Sequence, residues 1–450
     1  MTRVRSPGDF PQEPGHELKR PMGLRDLVLA QILTVVGSSW VGIAAGVGAA
    51  QFGVWLLAFA FFYAPMAVAV YHLNRAMPLE GGLYVWARRS FGDEVGFMTA
   101  WNIWAYALSS IATVLFQIPS ELAYLLGPAA AGLPEDRRLV DALLALVIAL
   151  LIVAPLWAWW HGAHLAYAPF ALHLPPGDPR SLSLVGQVLF AAAGLEYVAI
   201  MAGETRGAER AIGRSVVIAS PIILLMFVLG TASVVSLHGA HPRTAINYIA
   251  PIPQTLTLAF GEHGPAALLG KAAIVLLQIR ILGAASFLYT GATRLPMTAG
   301  WDHLIPAWFV KLHPRYQTPV NSILLTSAVI VAMLALGTAG VRAAVAFGLL
   351  NDASSEFYAL AYLVMFLIPI CGDPLLRRML PRTVAWICGA GVVTIQFIVA
   401  LNAYPFVDAV RPGVFAAKVL GTTLLVNAVG WLFYRARRAR GAPAFGDASS

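Results

Sequence analysis

Long apolar stretches recur along the whole chain, and they limit what it can fold into more than any other feature of the sequence. Each has roughly the 20 residues that a helix needs to cross the ~30 Å hydrocarbon core of a bilayer. Eleven are present, at residues 24–50, 53–76, 95–126, 139–160, 184–203, 213–237, 265–291, 321–338, 343–370, 383–401 and 413–434. With 59% hydrophobic and 12% charged residues, the composition excludes a soluble enzyme and a disordered scaffold. The sequence therefore predicts an all-α polytopic membrane protein with about 11 spans, surrounded by the lipid bilayer.

The 30 lysine and arginine residues lie mostly between these stretches, and their distribution predicts the orientation. With the N-terminus in the cytoplasm, 21 of them fall on the cytoplasmic side and six on the outer side. This asymmetry follows the positive-inside rule. We therefore expect a multi-pass protein of the cell membrane (plasma or inner membrane) with a cytoplasmic N-terminus. The net charge of +8 then reflects topology and not nucleic-acid binding.

The segment 139–172 does not fit a simple count of crossings. Arg137 and Arg180 are both expected outside, yet one clear apolar stretch separates them. A chain that returns to the same side crosses an even number of times, and two full spans need about 40 residues plus a turn. Three arrangements stay open: one span in a chain that lacks a helix, a shortened hairpin bent at Pro155, or a re-entrant segment.

Two of the stretches are interrupted near their middle. The first contains Val-Gly-Ser-Ser-Trp at 36–40, and the fifth contains Ala-Ala-Ala-Gly-Leu-Glu at 191–196. A broken helix in lipid is tolerated only where the freed backbone lines a cavity or packs against protein. Such interruptions in corresponding halves of a chain indicate the binding site of a secondary transporter. The alternative is that these small residues only allow close helix contacts.

Four sequence motifs in this order resemble the amino acid, polyamine and organocation (APC) transporter superfamily, over about residues 21–435. They are VGSSW at 36–40, MPLEGGLYVWARRSFGDEVGF at 77–97, FAAAGLEYVAIMAGETRGAERAI at 190–212 and TRLPMTAGWDHLIPAWFVKLHPRYQTP at 293–319. In the first, serine and tryptophan stand where the family has a second glycine and a smaller residue. The motifs fall on the sides of the membrane that the charge distribution predicts.

The resemblance implies five helices, an inverted repeat of five and two additional C-terminal helices. Since four convincing stretches precede the one near Leu184, the first repeat is expected to be shortened. The implied organisation is a cytoplasmic tail at 1–20, a transporter domain at 21–435 with repeats at about 24–172 and 184–370 and additional helices at about 383–434, and a cytoplasmic tail at 436–450.

The interruption of the first stretch is the predicted binding site for a substrate carboxylate. Unwinding at Gly37, Ser38 and Ser39 would leave free N–H groups at the start of a half-helix, where the helix dipole favours an anion. The bulky Trp40 beside them restricts the approach of a ligand. We therefore expect a substrate that is smaller than the substrates of typical relatives, or that has a different shape.

The resemblance also implies residues for the rest of the substrate. Carbonyl groups at Ala193 and Gly194 correspond to those that accept from the substrate ammonium group. Phe190 matches an aromatic lid over the substrate, with an ordinary packing residue as the alternative. Ser354 matches a position that faces the substrate, although serines in spans also commonly bond their own i−4 carbonyl.

Several charged residues fall within the predicted spans, where a charge is costly and usually functional. Arg280 lies deep in the seventh stretch, Glu196 lies at the second interruption, and Asp352 and Glu356 are four residues apart and share a helical face. We predict that Arg280 pairs with one of the three carboxylates and that another carries a coupling proton. The alternative is an ion pair that only holds the helices in register.

These features predict a secondary active transporter, or permease, of amino acids or related amines that works by alternating access. Its expected partners are the amino acid or amine substrate and H⁺, in proton-coupled transport or exchange. Alternatives are an Na⁺-coupled amino acid symporter and a non-transporting sensor or assembly subunit. The sequence has no nucleotide-binding phosphate loop and no evident catalytic group, so we expect no enzyme activity, no cofactor and no nucleic-acid partner.

Two copies of His-Gly-Ala-His, at 161–164 and 238–241, raise the question of a metal site. They lack the carboxylate of a zinc-protease motif and have no evident third ligand. We therefore expect surface histidines and no metal.

Overall fold

The computed structural model describes residues 23–77, 82–126, 150–195, 208–298, 311, 319–338, 342–407 and 411–439. Within these ranges every regular element is helical. Glu196, both expected tails apart from residues 436–439, and most of the 293–319 motif lie outside the described residues.

The first half of the chain contains seven of the described helices. They are α1 Leu24–Val35, α2 Ser38–Ala45, α3 Gly48–Ala76, α4 Leu83–Phe91, α5 Asp93–Leu126, α6 Leu150–Trp160 and α7 Pro179–Ala191. The second half contains eight more. They are α8 Ala208–Ala240, α9 Pro251–Phe260, α10 Pro265–Thr298, α11 Val320–Thr338, α12 Ala343–Cys371, α13 Pro374–Met379, α14 Arg382–Asn402 and α15 Pro412–Ala439.

Six of the described helical segments are long and apolar enough to cross a membrane. They are Gly48–Ala76, Ala211–Ala240, Pro265–Thr293, Ala343–Cys371, Arg382–Asn402 and Pro412–Ala436. The protein is thus a multi-pass membrane protein, as predicted, and its described part is all-helical. The count of about 11 spans and the five-plus-five inverted repeat stay predictions.

Helix α5 is the central element of the packing. It has 34 residues, which is about 51 Å at 1.5 Å per residue, and it contacts α4, α9, α10, α11, α12 and α15. The two predicted interruptions lie near each other, because α2, which follows the first, packs against α7, which leads into the second. A side chain of α5 reaches the first interruption, since Gln117 bonds Ser38.

The described part of the segment 139–172 contains one helix, α6. Its described residues, Leu150–Trp160, extend about 16 Å. Residues 163–177 contain no helix, so a hairpin whose second arm lies there is ruled out. The chain instead runs past the start of α3, where Gln51 Nε2 donates to the Pro169 carbonyl (2.9 Å) and the Phe52 and Phe170 rings pack edge to face.

Asp178 fixes the point where the chain re-enters a helix. Its carboxylate accepts from the backbone N–H of Ser181 (3.0 Å) as the N-cap of α7, and Pro179 occupies the first helical position. Hydrogen bonds from Ser181 hold the pKa of this exposed carboxyl below its ordinary value. Helix α7, which leads into the second interruption, therefore has a well-defined start.

The outward faces of the helices carry large apolar side chains. Trp386 of α14, Val217 of α8 and Leu424 of α15 are among the most exposed. Lipid tails are as apolar as these side chains, so such faces are stable in a bilayer. Helix contacts therefore depend on close packing of small residues and not on apolar surface alone.

Gly430 in α15 provides a test of this packing. A Cβ atom at Gly430 would lie 2.6 Å from Nε1 of Trp101 in α5, whose indole N–H donates to the Val426 carbonyl. We expect Gly430→Leu to separate α15 from α5 and to destabilise the protein by ~1–3 kcal/mol, the usual cost of overpacking. Thermal unfolding in detergent would measure the loss as a lower Tm.

The matched control is Gly421→Leu in the same helix, because a Cβ there meets no atom within 4 Å. Its Tm should stay at the wild-type value. An equal Tm for both variants would show that the close approach at Gly430 does not contribute to stability.

Candidate functional site

The first span is broken where the sequence predicts. Helix α1 ends at Val35, the backbone is extended at Val36 (ψ 101°) and Gly37 (φ −101°, ψ 142°), and α2 begins at Ser38. The first N–H groups of α2 have no carbonyl one turn earlier within the helix. Ser38 and Ser39, both buried, thus stand at a half-helix N-terminus inside the protein.

Trp40 lies directly over this break. A Cβ atom at Gly37 would be 2.6 Å from Cδ1 of the Trp40 indole, so no larger residue fits at that position without movement. The ring covers one side of the exposed backbone. The restriction of ligand approach by Trp40 stays a prediction.

At the second predicted interruption, α7 ends at Ala191 and residues 192–195 are not helical. Gly194 has φ +114°, a left-handed conformation that favours glycine. Its N–H donates to the hydroxyl of Tyr362 in α12 (2.8 Å), which replaces a helical carbonyl partner. The described chain then stops at Leu195, and the roles of the Ala193 and Gly194 carbonyls stay predictions.

Phe190, one turn before Gly194, is buried in an aromatic cluster. Its ring centroid lies 5.9 Å from that of Phe62, 6.4 Å from that of Tyr358 and 6.2 Å from that of Tyr362. In this conformation it therefore packs as a core residue beside the break.

Ser354 points toward α5. Its hydroxyl is 2.7 Å from that of Ser110, so the two serines share a hydrogen bond across the α5–α12 contact. The neighbouring Ser355 instead donates to its own i−4 carbonyl at Asn351. The bond to an i−4 carbonyl, which was the alternative for Ser354, is thus formed by Ser355 instead.

Arg280 lies beside the first break and not beside the carboxylates of α12. Its Nη2 donates to the Ser38 hydroxyl (3.4 Å), and its charged neighbour is Glu121 of α5. The described structure contains no ion pair between Arg280 and either Asp352 or Glu356. The third predicted partner, Glu196, lies outside the described residues, so that pairing stays a prediction.

Sequence reasoning missed Glu121, although a signal for it exists. Gln117 and Glu121 are four residues apart within the third apolar stretch and therefore share one face of α5. Gln117 Oε1 accepts from the Ser38 hydroxyl (3.5 Å), and Glu121 Oε2 accepts from Gln278 Nε2 of α10 (2.7 Å). These contacts join α2, α5 and α10 in one buried polar group.

Asp352 forms a second polar group, which links α12 to α7. Its Oδ1 accepts from Gln187 Nε2 (2.8 Å), and Gln187 Oε1 accepts from Asn351 Nδ2 (2.9 Å). Gln187 lies in the half-helix that ends at the second break. The second carboxylate oxygen of Asp352 and Oε1 of Glu356 have no hydrogen-bond partner within the described residues.

Asp352 and Glu356 share a helical face, as their spacing predicts, and the charge of one acts on the other. They are 0% and 3% exposed. At 100° per residue, Ser354 lies about 200° around α12 from Asp352. The predicted site residues thus fall into two groups, one facing α5 and the first break, the other facing away from α5.

A small cavity adjoins the first break. It is lined by Gly37 and Ser38 together with apolar residues of the surrounding helices, namely Val36, Val41, Leu151, Met226 and Ile252. The lining places it on the side of the break that faces α6, α8 and α9. The start of α2 therefore borders open space on one side and the Arg280 group on the other.

His238 differs from the expectation of a surface location, whereas His241 is half-buried. His238 is buried (7% exposed), and its Nε2 is 2.9 Å from Gln254 Oε1. The same Gln254 accepts from the backbone N–H of Asn247 (2.8 Å). His238 therefore helps to hold the connection between α8 and α9, whereas His161 and His164 are exposed.

Comparison with known proteins identifies the family. Models described as amino acid permease match residues 140–425 and residues 29–135. An uncharacterized transporter of Mycobacterium tuberculosis is 27% identical over 77% of this chain and 79% of its own length.

Two further relatives have named substrates. The branched-chain amino acid permease of Bacillus subtilis is 22% identical over 67% of this chain and 71% of its own. The low-affinity putrescine importer of Escherichia coli is 21% identical over 59% of this chain and 62% of its own. The resemblance seen in the motifs is thus confirmed. Since a single family model covers more than half of its length, the chain belongs to the amino acid permease family, whose members are transporters and not enzymes.

Proposed function

We propose that this protein is a secondary active transporter that moves amino acids or related amines across the cell membrane by alternating access. The observation that carries the proposal is the break between α1 and α2, together with the end of α7 at the second predicted break, with polar side chains buried beside each. Discontinuous helices of this kind form midplane sites in secondary transporters. The names of the relatives, an amino acid permease and a putrescine importer, support this range of substrates.

The substrate site in this proposal lies between the two breaks. The N–H groups at Gly37, Ser38 and Ser39 bind a carboxylate, and the carbonyls of Ala193 and Gly194 accept from an ammonium group. Both functions rest on backbone groups that a continuous helix would have satisfied.

The wall of the proposed site comes from two side chains. Ser354 contributes its hydroxyl from the α5–α12 contact. Phe190 covers the site when the aromatic cluster around it rearranges.

Asp352 and Glu356 are the proposed carriers of the coupling proton. Both are buried, and the described residues place no basic side chain against either one, whereas Glu121 has Arg280 as its charged neighbour. A buried carboxylate without a cation is stable when it is protonated. Glu196, the remaining predicted coupling residue, lies outside the described residues.

Gln187 connects the proposed proton site at Asp352 with the proposed substrate site. It bonds Asp352 from the half-helix that carries Phe190 and ends at the second break. Protonation of Asp352 changes the acceptor that faces Gln187, so it alters the contact that fixes the end of α7. In this proposal, protonation of Asp352 and the conformation of α7 are coupled through this one hydrogen bond between α12 and α7.

The coupling role predicts the behaviour of Asp352→Asn and Glu356→Gln in proteoliposomes. With the membrane potential held at zero, a gradient of one pH unit supports about tenfold accumulation per coupled proton. We expect at least one of the two variants to lose this accumulation while it retains exchange of labelled for unlabelled substrate.

The matched control is Glu262→Gln, which makes the same change at an exposed position. It should accumulate substrate like the wild type. Normal pH-driven accumulation by both buried-site variants would exclude them as proton carriers. Accumulation that requires Na⁺, and is lost when choline replaces it, would favour an Na⁺-coupled symporter.

The Gly194 break predicts a specific effect of Tyr362→Phe. The change removes the hydroxyl that accepts from the Gly194 N–H and leaves a buried donor without a partner, at a cost of about 1–3 kcal/mol. We expect a lower Tm and slower uptake. Tyr404→Phe, at a half-exposed ring outside the site, should change neither. Unchanged Tm and uptake in Tyr362→Phe would mean that this contact does not support the break.

A further inference from the structure

The guanidinium group of Arg280 is buried without enough partners. The side chain is 7% exposed, and its single hydrogen bond within the described residues is the long one to Ser38 Oγ (3.4 Å). Its Nε has no partner there. A guanidinium group has five N–H donors, so most of them are unused in this conformation.

Glu121 balances the charge of Arg280 but does not occupy its donors. The two residues interact electrostatically, yet the Glu121 carboxylate takes its hydrogen bond from Gln278, and its other oxygen has no partner. Gln278 thus holds the carboxylate from the α10 side. Together the two charges nearly cancel, and the N–H donors of the guanidinium group stay available for a second acceptor.

The position of Arg280 determines which acceptor that is. Its nearest polar contact, Ser38, is the first residue of α2, where the N–H groups and the helix dipole also favour an anion. The planar fork of arginine binds a carboxylate through two parallel hydrogen bonds. Two independent sets of donors therefore meet at one point.

We propose that Arg280 binds the α-carboxylate of the substrate together with the start of α2, and that the transported substrates are amino acids and not amines that lack a carboxylate. The inference rests on the proposed function and narrows it. A simple amine would leave the guanidinium group unsatisfied, and its positive charge would face both Arg280 and the helix N-terminus. A site built to bond a group commonly rejects an analogue without it by 100-fold or more.

The test uses pairs of compounds that differ only by the carboxylate: leucine and isoamylamine, valine and isobutylamine, and lysine and cadaverine. Binding to the purified full-length protein is measured by thermal shift, and transport by counterflow in proteoliposomes. We expect at least one amino acid to bind and exchange, and its paired amine to bind at least about 100-fold more weakly. Equal binding of the two members of such a pair would overturn the inference.

Variants separate carboxylate binding from a purely structural role of Arg280. Arg280→Gln alone leaves Glu121 buried without its counter-charge and risks misfolding. The double variant Arg280→Gln/Glu121→Gln removes both charges together. If Arg280 binds the carboxylate, the double variant folds, with a Tm near that of the wild type, yet binds the amino acid about 100-fold more weakly, close to the level of the amine. Wild-type affinity in the double variant would show that Arg280 only neutralises Glu121 and would overturn the inference.

The proposed function can fail separately. Transport of an amine as efficiently as its amino acid would overturn the role of Arg280 and leave the proposed function intact. Failure of the folded wild-type protein to bind or exchange any amino acid or amine would overturn both.

Discussion

The need to satisfy every backbone polar group inside a bilayer governs this structure. A continuous helix meets the need by itself, whereas a broken one must find partners elsewhere in the protein. At the second break the hydroxyl of Tyr362 accepts from the Gly194 N–H. At the first break the start of α2 lies between the Arg280 group and a small cavity. At the second break a side chain thus replaces the missing backbone contact.

Features that depend on the local chain were predictable from the sequence. Glycine and serine within apolar stretches predict the two breaks; the structure contains the first, and at the second it shows the end of α7 at Ala191. A spacing of four residues within a continuous helix necessarily places Asp352 and Glu356 on one face. The helical, membrane-spanning character follows from the length and polarity of the stretches. Each of these conclusions needs only the geometry of a single helix.

Contacts between helices could not be obtained in this way. The sequence shows how deep Arg280 lies in its span, but not the direction in which its side chain points around the helix axis. In the structure the side chain points toward α5, and its charged neighbour is Glu121 and not a carboxylate of α12. His238 shows the same limit, because a position near the end of a span does not reveal that the connection between α8 and α9 covers it. Depth can be counted along a chain, whereas orientation depends on how the helices pack.

Ser38 belongs both to the start of α2 and to the buried polar group around Arg280. It is the first residue of α2, and its hydroxyl lies between the guanidinium of Arg280 and the amide oxygen of Gln117. A tilt of α2 that leaves α5 and α10 in place separates the hydroxyl from both. In the proposed transport cycle, a tilt of α2 that opens the first span would therefore remove the hydrogen bond of the buried cation. A substrate anion that bonds Arg280 would offset this loss.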